Sequence, residues 1–217
     1  LPKLREIEKL LQPPAAVKEN PLKEYLIHVA DLENLPAIEW LIAGEVPSRG
    51  LIVLYGPSGV GKSFYALNYA LMLAETVSVL YIAAEGESGY QQRVRAWSKH
   101  FNADVRRRKL HFLMSAVGLL DKDDLDHLVE IVTDMSPKLI VVDTLAHSML
   151  PGDENNTRDM AMFVKAAKHI QRQLGCAVLL VHHTNKLGEN ERGSGALRAA
   201  ADMMIRLIDM DDVIAVE

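Results

Sequence analysis

Apolar and polar positions follow two different periods along this chain, and the switches between them mark its elements. "LIVLY" (51–55), "VSVLYIA" (77–83), "KLHFLM" (109–114), "KLIVVDTL" (138–145) and "CAVLLVHH" (176–183) are short, nearly continuous apolar runs. Runs of this length and composition predict strands covered on both faces. Between them, residues 62–75, 89–101, 121–135 and 157–175 carry apolar positions at helical spacing. Acidic Asp121, Asp123 and Asp124 suit a helix start, and Gly175 suits a helix end. A more amphipathic strand, "DMMIRLIDM" (202–210), follows, and "DDVIAVE" begins another. Strands that alternate with helices predict an α/β fold: a mostly parallel sheet with helices on both faces. There is no internal repeat.

Residues 1–34 break this rhythm. Leu4, Ile7, Leu10 and Leu11 are spaced for a short helix, and the prolines of "QPPAAVKENP" interrupt it. This predicts a helical arm and linker ahead of a main domain at 35–217. The sequence opens without Met and stops inside an apolar run, so it is expected to be a piece of a longer protein.

Composition narrows the function classes. Hydrophobic residues make up 49% of the 217, enough to fill a core. The formal charge of −5 argues against indiscriminate duplex binding, although a local basic channel remains open. The single cysteine, Cys176, excludes a disulfide framework and a cysteine-based zinc site. No apolar stretch approaches the ~20 residues of a membrane span, and the charged N-terminal stretch is not signal-like. A cytoplasmic protein without membrane partners is expected.

The chemistry begins at "GPSGVGKS", Gly56 to Ser63, which matches G-x-x-x-x-G-K-[ST] between a strand and a helix. In the loop Gly56, Pro57, Ser58, Gly59, Val60 and Gly61, every residue but the proline can turn its backbone N–H onto phosphate oxygens, with Phe64 next along the helix. Lys62 is placed for the β and γ phosphates of ATP and the Ser63 hydroxyl for Mg²⁺. Asp143 ends a buried run, where its charge would be costly without a cation or strong hydrogen bonds. It is the expected second Mg²⁺ residue. Glu85 and Glu87 follow the second strand at the edge that faces the phosphate loop; Glu85, nearer the strand, is the candidate to activate water. His182 and His183 end a strand, so their side chains point to opposite faces. One can aim at the nucleotide while the other packs, which argues against a shared metal.

The order of phosphate loop, Glu85, "VVDTL", "HHTNK" and "RGSGALRAAAD" resembles the RecA-like P-loop ATPases of the hexameric replicative helicase group. It is most similar to plasmid RepA-type helicases and related phage and primase-linked ATPases. "IEWLIAGEVPSRG" adds a similar lead-in to the core. The resemblance implies a Mg²⁺ pair at Ser63 and Asp143, a catalytic Glu85 and a γ-phosphate sensor at His183. It sets Arg192, Gly193, Ser194 and Arg198 near a central channel and subunit interface, and Lys186 joins them as a DNA contact. The family's arginine finger falls on Asp202, so Arg206, on the same strand face, is the candidate; otherwise the finger lies beyond Glu217.

The leading expectation is a helicase or translocase that hydrolyses ATP as a hexameric ring on single-stranded DNA, with a primase or replication initiator as possible partner. Two alternatives share the same motifs: a RecA- or KaiC-like recombination or regulatory ATPase, and an ATP-gated loader with slow hydrolysis. A small-molecule kinase fits less well, because no Arg-rich lid segment follows the expected strand.

Overall fold

A computed structural model describes residues 23, 26–35, 37–85, 89–184, 191–210 and 213–216. The chain divides into two units, Leu1–Ala37 and Ile38–Glu217. In the first, Val29–Asn34 forms a 3₁₀ turn capped by His28, whose Nδ1 accepts from the Ala30 N–H at 3.1 Å. The helix expected at residues 3–11 lies outside the described residues.

The second unit opens with a small antiparallel hairpin, β1 (Trp40–Ile42) and β2 (Val46–Pro47). Its connecting turn carries Glu45, which accepts hydrogen bonds from Tyr65 and Tyr69 of the first helix. A seven-stranded sheet follows. Its strands are β3 (Gly50–Gly56), β4 (Val79–Ala83), β5 (Leu110–Leu113), β6 (Leu139–Asp143), β7 (Ala177–His183), β8 (Met203–Met210) and β9 (Val213–Val216). They lie in the order β5-β4-β6-β7-β3-β8-β9, all parallel except β9. Four of the helices are α1 (Lys62–Leu73), α2 (Tyr90–Phe101), α3 (Lys122–Met135) and α5 (Thr157–Leu174). Two short ones, α4 (Leu145–Ser148) and α6 (Ala196–Ala200), are the others among the described residues.

Strand alternation divides the core in two. Leu51, Val53 and Tyr55 of β3 face α3 and α5, together with Leu80, Ile140, Val142, Val178 and Leu180. Ile52 and Leu54 face the other way, onto α1, with Val79, Tyr81, Leu139, Val141, Leu179 and Val181. Both faces of the central strands are therefore buried, which is why their sequences read as apolar throughout rather than alternating. Helix ends follow local chemistry. Asp121 and Asn156 cap α3 and α5 by accepting backbone N–H groups, and Gly175 closes α5 in a left-handed conformation. Among the described residues no helix is long and apolar enough to cross a membrane.

The order of strands positions the chemistry. β7 lies between β3 and β6, in a register that pairs Gly56 with His183 and Asp143 with Val181. The phosphate loop, Asp143 and the histidine pair therefore emerge side by side at the C-terminal edge, where ligands of open α/β sheets bind.

Candidate active site

The phosphate loop runs from the end of β3 into α1. Gly61 caps α1 at φ 93°, a left-handed conformation that favours glycine, and the cap carries no side-chain hydrogen bond. The leading N–H groups of α1, with the positive end of its dipole, are thus left for an anion. Lys62 is buried; its ammonium donates to the carbonyls of Gly56 at 3.0 Å and Pro57 at 2.7 Å. His183 Nδ1 stands 3.4 Å from the same Nζ. Burial lowers the Lys62 pKa, and the charges of Asp143 and Glu85 oppose that shift. A cation held by neutral carbonyls beside a helix N-terminus suits a phosphate that can replace them.

Lys62, Ser63, Glu85, Asp143 and His183 line one cleft of about 250 Å³, with Ser58, Gly59, Gly61 and Phe64 at its loop side. Asp143 is 1% exposed, and Tyr81 and Tyr90 donate hydrogen bonds to it. Glu85 is half exposed, with Oε2 3.6 Å from His147 Nδ1, and the Thr144 hydroxyl lies 3.1 Å from that same nitrogen. Glu87 lies outside the described residues. The residues present fit Mg²⁺ carried in on a nucleotide: a hydroxyl and a carboxylate beside a phosphate cradle, with other ligands left to phosphate and water.

Alternation separates the histidines as the sequence predicts, and gives His182 more to do than pack. His183 shares its sheet face with α1 and Lys62. His182 is completely buried on the opposite face, where Nε2 lies 2.7 Å from the Arg192 carbonyl. Only a protonated Nε2 can donate to a carbonyl, so the ring is fixed in that tautomer. Burial lowers the pKa of both rings; for His183 the nearby Lys62 and Arg192 charges add to the effect.

The Arg-Gly-Ser segment closes back onto β7. The Arg192 N–H donates to the His183 carbonyl at 2.8 Å, Thr184 bridges to Glu191, and the Thr184 N–H donates to Gly56 in the phosphate loop at 3.1 Å. Arg192 pairs with Glu154, and Ser194 N–H donates to the Glu154 carbonyl at 3.1 Å. Arg198 pairs with buried Glu191. Both arginines expected at a DNA channel thus engage carboxylates of their own chain. Lys186 lies outside the described residues. Arg206 is half-buried opposite Tyr55, with its Nε shielded from solvent, and Asp202 is used to accept the Leu51 N–H at 2.8 Å. Tyr81, Tyr90, His147 and Glu154 carry no motif of their own in the sequence; tertiary packing brings each to the cleft or to the segment.

The family model described as "AAA domain" matches residues 19–189. An archaeal protein of Aeropyrum pernix, named a UPF0273 protein, is 26% identical over 203 residues, which cover 83% of this chain and 77% of that one. The DNA repair protein RadA of Bacillus subtilis is 27% identical over 156 residues, 68% of this chain; the chain spans 31% of RadA's length. Among solved structures, a KaiC-like protein from Pyrococcus horikoshii superposes with a TM-score of 0.58 at 17% identity, covering 81% of this chain and 80% of that one. That likeness is one of fold.

Proposed function

We propose, for a chain that belongs to the AAA domain family of RecA-like P-loop ATPases, Mg²⁺-dependent hydrolysis of ATP in a self-assembling, DNA-directed or regulatory complex of RecA or KaiC type. The observation that carries this reading is the meeting of Lys62, Ser63, Asp143, Glu85 and His183 in one cleft. Lys62 exchanges its loop carbonyls for β and γ phosphate oxygens. Ser63 and Asp143 would hold Mg²⁺, which when bound would offset phosphate charge. Glu85 takes a proton from a water whose oxygen attacks the γ phosphorus, while the bond to the β-phosphate oxygen breaks and ADP leaves. His183, on the phosphate face of β7, donates to the γ phosphate and reports its loss.

The RadA and KaiC-like relatives favour this reading over a replicative helicase ring. The "HHTNK" and "RGSGALR" blocks keep the helicase as a second reading, with single-stranded DNA, a hexamer and a primase or replication initiator as its partners. Phosphate release from ATP, measured with and without single-stranded DNA and beside a strand-separation assay, distinguishes them. The expected result is turnover that Lys62→Ala abolishes, without strand separation; stimulation by DNA marks a DNA-directed complex and its absence a regulatory one. Vigorous unwinding moves the assignment to the helicase; absence of turnover under every condition overturns both.

A further inference from the structure

The two phenols at Asp143 end on one oxygen. Tyr81 Oη donates to Asp143 Oδ2 at 2.6 Å and Tyr90 Oη to the same Oδ2 at 2.8 Å. Neither uses Oδ1. Both tyrosines are buried, Tyr81 at 0% and Tyr90 at 3% exposure, and their rings meet edge to face with centroids 5.3 Å apart. Phe112 packs against both rings, so neither phenol can swing away without disturbing an aromatic cluster. The Tyr81 hydroxyl also lies 3.4 Å from the Ser63 carbonyl. Its single proton goes to the nearer, charged acceptor, and the oxygen is left wedged between the two residues assigned to Mg²⁺.

A buried carboxylate needs donors in any case, but that need alone does not require both on one oxygen. Two donors on Oδ2 fix the rotation of the carboxylate and keep Oδ1 available as an acceptor. Tyr90 adds a second link: it is the first residue of α2, so its bond to Asp143 ties the start of that helix to the end of β6. A phenol with the ordinary tyrosine pKa of ~10 is protonated throughout the physiological range, so both side chains are donors there.

We propose that Tyr81 and Tyr90 are positioning residues for the metal: together they aim Asp143 Oδ1 at Mg²⁺ or its bound water. The inference rests on the ATP and Mg²⁺ reading of the cleft. Groups that orient a metal-holding side chain through hydrogen bonds shift metal affinity about 10- to 100-fold when removed.

The test uses the full chain and its Tyr81→Phe and Tyr90→Phe variants, with a fluorescent ADP analogue titrated first in EDTA and then against Mg²⁺. Metal-free nucleotide binding is expected to stay within about twofold of the unaltered chain, while the Mg²⁺ concentration for half-maximal enhancement rises about tenfold in either variant. Thermal unfolding of each variant is recorded alongside, and Tyr90→Phe, at a helix start, carries the test if Tyr81→Phe does not fold. An unchanged Mg²⁺ requirement overturns the inference, as does a metal-free affinity that falls as far as the metal-dependent one. If the unaltered chain binds no nucleotide at all, the ATP reading fails and this inference with it.

Discussion

At the scale of single residues, three buried polar side chains in and beside the cleft have partners that offset the cost of their burial. Lys62 rests on two carbonyls, Asp143 on two phenols, and His182 on the Arg192 carbonyl. His182 has a consequence for pH dependence. Burial holds the pKa of both His182 and His183 below the ~6.5 of a free histidine. As pH falls through that value the unfolded chain takes up protons that the folded chain refuses, so stability declines toward the lowered folded pKa. Thermal unfolding between about pH 7 and 5.5 is therefore expected to show stability falling with acidification. His182→Ala should flatten this slope while lowering stability at pH 7 by ~1–3 kcal/mol, because a fully buried ring and its hydrogen bond to the Arg192 carbonyl are lost. An unchanged slope would contradict the assignment of His182.

Among elements, the Arg-Gly-Ser segment shows how one backbone position can decide a local fold. Gly193 sits at φ 91°, and a Cβ there would collide with the Glu154 carbonyl oxygen. That contact is with backbone, which cannot yield as a side chain would. Gly193→Ala is expected to cost at least ~1–2 kcal/mol from the left-handed conformation alone, and to open the segment at Arg192 to limited proteolysis. Stability and cleavage pattern like those of the unaltered chain would show that the segment is not held this way. The elements themselves were legible in the sequence where local physics dominates. The five apolar runs became β3 to β7 with ends moved by a residue or two, and Asp121 and Gly175 mark helix boundaries because capping is a matter of neighbours in sequence. Glu154 was not legible: its role depends on meeting a segment about forty residues away.

On the scale of the whole molecule, the order β5-β4-β6-β7-β3-β8-β9 turns separate motifs into a site. A parallel sheet with helices on both faces could be read from the alternation of runs, but the strand order could not, because β3, β4, β6 and β7 are buried and apolar in the same way. For the same reason the phosphate loop and Asp143 could be named in advance as motifs, whereas the tyrosine pair could not. Tyr81 reaches Asp143 only through the register of β4 on β6, which sets Tyr81 beside Val141 and Ala83 beside Asp143. On the proposed reading this edge binds ATP, and Glu85 carries the chemistry rather than the binding. Glu85→Gln tests it most directly, with ATP affinity and phosphate release measured on the same preparation. Affinity is expected to remain close to that of the unaltered chain while turnover falls ~10²-fold or more. Turnover at the unaltered rate, or an affinity that collapses in parallel, would contradict the account.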